Sequence, residues 1–250
     1  MTTDFPGPPG GDKVGDRGGD RIVRQKLSDE VSERLRRMIL DGELAPGDAV
    51  PSERELMSRF GVGRPAVREA LQTMGTMGLI TISQGERSRV NELSPGIAFR
   101  QLDTVARFLL SADPGTLGHL KEARKLFEIG IVRIAAGARV DADVEALRQL
   151  VEAQRERLGD ARAFVRCDIA FHARIAAISG NPIVSAVSDA MLTWLFSYHT
   201  SLLHWSGKEG VTLDEHERIV EAIASGRADD CAEIMAIHLD RSADSYRHHD

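Results

Sequence analysis

The chain has 250 residues and a formal net charge of −6, and 42% of its residues are hydrophobic. This length exceeds that of a usual single domain, and the acidic balance lacks the basic excess typical of nucleic-acid-binding proteins. No run of about 18 apolar residues is present, which argues against a membrane span. Two cysteines, Cys167 and Cys231, are too few for a disulfide framework and favour a reducing cytoplasm.

The first 20 residues have an unusual composition, with six Gly, three Pro and four Asp. Such a segment has too few apolar side chains to form a core, so we predict that residues 1–20 are a disordered tail. The same segment is neither basic enough nor apolar enough for a signal or transit peptide.

Two short helices joined by a tight turn are predicted between Ser52 and Gly78. Ser52 is followed three residues later by Glu55, a capping-box pattern that predicts a helix start, and Gly61 is placed to end this helix. Pro65 suits the first turn of the second helix. The apolar residues of that helix follow helical spacing and are predicted to face the core: Val67, Ala70, Leu71 and Met74.

A β-hairpin is predicted directly after these helices. The residues from Leu79 to Ile82 alternate in polarity, Gly85 lies at the predicted tip, and the return strand is basic. The order of helix, turn, helix and hairpin is that of a winged helix-turn-helix, which predicts DNA binding. Arg64 and Arg68 lie one turn apart near the start of the second helix, where a recognition helix meets bases and phosphates. Taken alone, such an arginine pair is more often a solvated surface.

The distribution of charge is compatible with this prediction. Residues 21–93 contain 12 basic and 11 acidic side chains, whereas residues 94–250 contain 18 basic and 23 acidic ones. A weakly charged reader domain gains little from phosphate attraction, so we expect a homodimer on a two-part operator. Residues 91–96 break the pattern after the hairpin. We therefore predict a DNA-binding domain at residues 21–93 and a second domain at residues 97–250.

The second domain is predicted to be an all-α antiparallel bundle, so the fold class of the whole chain is mainly α. Apolar residues recur at helical spacing in six segments: 116–138, 144–158, 161–179, 183–203, 213–225 and 228–246. Six or seven helices of this kind form a bundle whose interior can hold a ligand site.

Four side chains of this bundle are candidate metal ligands. Asp168 and His172 are four residues apart and share one helix face. His216 and His238 lie about equally far from the predicted turn near Gly226, so an antiparallel helix pair places them at similar heights. Three imidazoles and a carboxylate suit Zn²⁺, and also Ni²⁺, Mn²⁺ or Fe²⁺ if water completes the shell. The alternative is that these are separate core residues held by hydrogen bonds.

The segments from Pro51 to Leu56 and from Gly63 to Leu71 resemble the DNA-binding domain of the GntR family of bacterial transcription regulators. The resemblance implies DNA contacts from one arginine of the first motif helix, two of the recognition helix and the wing tip. With Arg87 of the basic return strand, the candidate DNA-binding residues are Arg54, Arg64, Arg68, Gln84, Gly85 and Arg87. Gly63, Pro65 and Ala66 replace hydroxyl residues of some members, so the corresponding hydrogen bonds to the operator are absent.

The second domain resembles the FCD effector domain of the FadR subfamily. The resemblance lies in Arg124, Glu128, the spacing from Phe164 through Asp168 to His172, Asn181-Pro182, Glu215-His216 and His238-Leu239. It implies that Asp168, His172, His216 and His238 bind one divalent metal, most simply zinc. The branch that binds fatty acyl-CoA typically lacks this set, so that ligand is disfavoured.

Six segments, at residues 24–28, 51–57, 85–90, 126–133, 168–172 and 180–183, resemble the sialic-acid-responsive repressors of this subfamily. This resemblance implies a small carboxylate or sugar acid such as N-acetylneuraminate as effector. Candidate effector-binding residues are Arg124, Arg133 and Asn181. Two alternatives remain, a regulator that senses the metal itself and a metal-dependent hydrolase. Glu215 and Glu217 are predicted on other helix faces than His216, which leaves the hydrolase without a general base. We therefore expect a regulator and not an enzyme.

Overall fold

A computed structural model describes residues 26–83, 86–199 and 208–244. The chain divides after Val90 into two compact units, which are described separately. The predicted tail at residues 1–20 and the predicted wing tip, Gln84 and Gly85, lie outside the described residues.

The first unit contains three helices and a small hairpin: α1 Leu27–Leu40, α2 Glu53–Phe60, α3 Arg64–Thr76, β1 Ile80–Thr81 and β2 Arg89–Val90. The strands are antiparallel, with Ile80 opposite Val90. Helix α1 goes beyond the two helices predicted from sequence and packs against α3. The buried residues of all these elements form one core, which includes Leu35, Leu56 and Met74.

Local contacts at the helix ends explain where α2 and α3 lie. The Ser52 side chain accepts from the Glu55 amide, and the Glu55 carboxylate accepts from the Ser52 amide at 2.7 Å, which confirms the capping box. Gly61 ends α2 with φ of +66°, a conformation that glycine adopts without steric cost. Helix α3 starts after Gly63 with Pro65 in its first turn, as predicted.

The second unit is all-α within the described residues and contains seven helices. Their bounds are α4 Pro95–Ala112, α5 Pro114–Ala138, α6 Asp141–Arg155, α7 Ala161–Ile178, α8 Pro182–His199, α9 Glu209–Ala224 and α10 Ala228–Asp244. Helices α5, α6, α7, α9 and α10 surround a common apolar core. Helix α4 packs against α8, and the Trp194 ring N–H donates to Asp103 at 2.7 Å across this contact. The mainly α fold class is thus confirmed.

The turn between α9 and α10 sets the register of two predicted ligands. Gly226 has φ of +70°, and a Cβ added there would lie 2.9 Å from a guanidinium nitrogen of Arg139. That guanidinium also donates to the Ala224 carbonyl at 3.2 Å. Only glycine fits this turn without a shift, and the turn lets His216 and His238 face the same point in the core.

Apolar side chains are also found on the surface. Four of them lie along α4 at roughly helical spacing: Leu102, Val105, Phe108 and Leu109.

None of the helices in the described ranges has both the length and the apolar character needed to cross a membrane.

Candidate metal centre and DNA-reading surface

The four predicted metal ligands come together inside the second unit. One ligand atom from each of Asp168, His172, His216 and His238 lies within 4.8 Å of the others. Asp168 and His172 are on α7, His216 is on α9 and His238 is on α10. The three histidines are buried, while the Asp168 side chain retains 23% of its exposure. Asp168 is therefore the most exposed of the four candidate ligands.

The Nε2 atoms of the three imidazoles point toward one another and toward the carboxylate. His172 Nε2 and His238 Nε2 are 3.3 Å apart, and His216 Nε2 lies 3.4 Å from Asp168 Oδ1. His216 Nε2 is buried and has no hydrogen-bond partner among the described residues. Buried polar atoms normally have a partner, so this convergence needs an explanation.

The contacts of the Nδ1 atoms, on the opposite side of each ring, explain why the Nε2 atoms converge. His238 Nδ1 lies 2.7 Å from Glu215 Oε2, His172 Nδ1 lies 2.5 Å from Glu128 Oε2, and His216 Nδ1 lies 2.8 Å from Gln154 Oε1. The Gln154 and Glu215 oxygens accept, so Nδ1 of His216 and of His238 carries the proton and their Nε2 atoms present lone pairs. The Glu128 carboxylate beside His172 Nδ1 favours the same ring form of His172. Lone pairs and a carboxylate that face one another repel, and a bound divalent cation would satisfy all four.

Charged groups behind the imidazoles stabilise this arrangement. Burial favours the neutral form of Glu128, but Arg124 and His172 outweigh it and lower its pKa. Burial likewise opposes ionisation of Glu215, yet hydrogen bonds from His238 and Arg241 lower its pKa to about 2. Both carboxylates are thus ionised and are held by arginine ion pairs.

Two of the imidazoles, those of His216 and His238, are biased toward the neutral, ligating form. Burial, reinforced by the charges of neighbouring histidines, lowers the pKa of His216 well below its usual value. Burial also lowers the pKa of His238, although Glu215 opposes this shift. The Phe171 ring stacks on His216 with centroids 4.0 Å apart and shields that imidazole from water.

The sequence patterns did not predict that Glu128, Gln154 and Glu215 contact the candidate metal ligands. Glu215 does lie on a different face of α9 from His216, as predicted, but it contacts His238 on the neighbouring helix. Glu128 follows Arg124 by one helical turn, a spacing that could have indicated an ion pair. Gln154 carries no sequence signal, because its contacts are with α7 and α9.

The three predicted effector residues occupy different environments. Arg124 is 13% exposed and pairs with Glu128, so described contacts link it to His172. Arg133 is 46% exposed and pairs with Asp229 at 3.0 Å. Asn181 is exposed, and its side chain accepts from the Ile183 amide at the start of α8. Among the three, Arg124 is the residue that described contacts connect to the centre.

The predicted DNA-binding arginines lie on the surface of the first unit. Arg64 and Arg68 keep 65% and 66% of their side-chain exposure, and Arg54 and Arg87 are also exposed. Glu53 lies between the two recognition-helix arginines, with its oxygens 3.5 Å from Arg64 Nε and 3.1 Å from Arg68 Nε. Exposed ion pairs of this kind are weak, so phosphates or base edges can replace Glu53 as partner.

Comparison with known proteins gives two family matches. Residues 27–90 match the family described as "Bacterial regulatory proteins, gntR family", and residues 119–241 match the FCD domain. A solved structure, Streptococcus agalactiae GntR, aligns with a TM-score of 0.67 and 24% identity over 87% of this chain and 99% of that chain. This alignment supports the fold.

The chain is also similar to several proteins named HTH-type transcriptional repressor NanR. Identity is 38% over 231 residues with that of Cronobacter sakazakii, covering 91% of this chain and 88% of the relative. It is 39% over 220 residues with that of Enterobacter sp., covering 87% and 84%, and 37% over 220 residues with that of Escherichia coli K12, covering 87% and 83%. The chain therefore belongs to the GntR family of bacterial regulatory proteins, with an FCD domain as its second domain, and is a regulator and not an enzyme.

Proposed function

We propose that the protein is a transcriptional repressor that binds operator DNA as a homodimer and responds to a small carboxylate or sugar acid held at a divalent metal centre. The observation that carries this proposal is the cluster of Asp168, His172, His216 and His238 within an FCD domain. The NanR names of the relatives favour a repressor. The resemblance of the sequence to sialic-acid-responsive repressors makes N-acetylneuraminate the first candidate effector. Since operator DNA is genomic, we expect the protein in the cytoplasm.

Zinc is the metal that the ligand set suits best. Three imidazole nitrogens and one carboxylate give zinc four ligands, and the zinc shell can expand to a fifth, while Ni²⁺, Mn²⁺ or Fe²⁺ would take additional water. The bound metal would supply a Lewis-acidic point that a ligand carboxylate can join. Asp168, the most exposed ligand, lies on the side from which such an anion would enter.

The charges around the centre favour an anionic effector once the metal is bound. Glu128 and Glu215 are compensated by Arg124 and Arg241, so their charges largely cancel. A divalent cation beside Asp168 then leaves excess positive charge in a buried site. Because a buried charge is costly without a partner, a carboxylate ligand would be stabilised there.

Dimerisation has two supports. The reader domain at residues 21–93 has nearly balanced charge, so one copy gains little from phosphate attraction and two half-sites are needed. The exposed apolar side chains of α4 also form a surface that a second copy can cover.

The effector would act by favouring a dimer geometry whose reader domains do not match the operator spacing. A ligand shifts such an equilibrium only by its differential affinity for the two states. A coupling free energy of about 1–3 kcal/mol would weaken operator binding roughly 5- to 150-fold.

The test is thermal unfolding of zinc-loaded and chelated protein against a panel of sugar acids and carboxylates. The panel includes N-acetylneuraminate and, as an uncharged control, N-acetylmannosamine. We expect one acid to raise the unfolding temperature only when zinc is present. His172→Ala should lose both the bound zinc and this response, whereas His119→Ala, an exposed histidine of α5, should keep both.

Two results would contradict parts of the proposal. Full metal content in His172→Ala would exclude the four-ligand centre. If chelation alone weakens operator binding and no acid has an effect, the metal itself is the signal and the protein is a metal-sensing regulator.

A further inference from the structure

We propose that Gln154 is a positioning residue of the metal centre, which selects the ring form of His216 and orients Asp168. Gln154 lies in the last turn of α6, a helix without a metal ligand, and its side chain is fully buried. The inference rests on the proposed metal centre, but part of its test does not require metal.

The neighbours of the Gln154 amide determine which way it faces. One end lies 3.5 Å from Asp168 Oδ1 and 3.5 Å from the Phe164 carbonyl oxygen. Both of these atoms are acceptors, so the amide nitrogen must point toward them. The opposite orientation would bring three oxygens together in a buried place, which is costly. The amide oxygen therefore faces α9.

The orientation of the amide then determines the protonation of His216. The amide oxygen lies 2.8 Å from His216 Nδ1 and can only accept, so Nδ1 must carry the hydrogen. His216 Nε2 is left with its lone pair, 3.4 Å from Asp168 Oδ1. A lone pair facing a carboxylate is the arrangement of two ligands before a cation binds between them.

The amide is suited to this position in a way that other side chains are not. It donates to Asp168 and accepts from His216, so one residue orients two ligands from two different helices. Glutamate could not donate to Asp168 and would add a like charge beside it. Methionine has similar length but offers neither hydrogen bond.

The test compares Gln154→Met with Gln149→Met and the wild type. Gln149 lies on the same helix, is exposed and donates to Glu145, so its replacement controls for the loss of an amide from α6. Zinc affinity is measured by competition with a chromogenic chelator. The ring form of His216 is read in zinc-free protein from long-range ¹H–¹⁵N correlations.

We expect Gln154→Met to bind zinc about 10- to 100-fold more weakly, since removal of a hydrogen-bond partner of a ligand commonly has this effect. The zinc-free wild type should show His216 with its proton on Nδ1, and Gln154→Met should show a mixture of both ring forms. Gln149→Met should match the wild type in both measurements.

Unchanged zinc affinity in folded Gln154→Met would overturn the inference while leaving the metal centre intact. A proton on His216 Nε2 in zinc-free wild type would overturn it too, and this measurement needs no variant. Failure of the wild type to bind zinc would instead contradict the proposed metal centre.

Discussion

At the scale of single residues, the proposed DNA contacts of α3 depend on the exposure and the ion pairs of Arg64 and Arg68. Both side chains are largely exposed and share the Glu53 carboxylate as partner. The shared acidic partner lies beside both arginines at the start of α3. Their positions were predicted from sequence, whereas Glu53 as their common partner was not, because the ion pairs join α2 to α3.

Arg64→Ala should lose specific operator binding while the fold is retained. An arginine that contacts a base contributes about 1–3 kcal/mol of discrimination, so the ratio of operator to random binding should fall roughly 5- to 150-fold for each protomer on the operator. Electrophoretic mobility shifts with operator and random duplexes at fixed salt measure this ratio.

The matched control is Arg36→Ala, an exposed arginine of α1 that pairs with Glu33. It should keep the wild-type ratio of operator to random binding. Equal ratios for the Arg64 variant and the wild type would remove Arg64 from the DNA-reading surface.

At the scale of elements, short-range signals correctly located α2 and α3, whereas α1 was not predicted. The capping box at Ser52 and the glycine at position 61 act within a few residues, so α2 begins and ends where the sequence predicts. Each strand of the hairpin has only two residues in the ladder. Such a short ladder depends on packing of Ile80 and Val90 against the helices, which sequence alternation alone does not reveal.

Ser52→Ala should destabilise α2 by about 1 kcal/mol, because the Glu55 amide loses its acceptor. Hydrogen exchange of the α2 amides, measured by mass spectrometry on the full chain, should become roughly fivefold faster. Ser58→Ala is the control, since Ser58 is exposed on the same helix away from the cap. Equal acceleration in both variants would argue against a capping effect.

At the scale of the whole molecule, two compact units carry separate properties. The exposed arginines belong to the unit that ends at Val90, and the candidate metal centre belongs to the unit that begins at Asn91. Metal binding stabilises the folded form of the unit that contains the site and does not stabilise a unit without it. The two units should therefore respond differently to chelation.

Removal of zinc should destabilise the second unit and leave the first nearly unchanged. With free zinc at a thousand times its dissociation constant, the loss is about 4 kcal/mol. Hydrogen exchange in zinc-loaded and chelated protein should accelerate in α7, α9 and α10, while the buried amides of α1 and α3 should keep their rates. Acceleration spread evenly over both units would contradict a centre confined to the second unit.

The sequence by itself determined the mainly α fold class, the helix-turn-helix order and the spacing that puts Asp168 beside His172. These features follow from interactions within one or two helical turns, or from apolar periodicity, so they can be read locally. The tight turn at Gly226 also allowed the alignment of His216 and His238 to be predicted. Residues equally far from a short turn between antiparallel helices lie at similar heights.

Only the tertiary structure decided which groups hold these ligands in place. Gln154 reaches α7 and α9 from α6, Glu215 on α9 reaches His238 on α10, and Glu128 on α5 reaches His172 on α7. These contacts join residues 14 to 62 positions apart, and each crosses between helices whose rotation is set by packing. Sequence spacing carries no information about that rotation, because it depends on how the core side chains of neighbouring helices interlock.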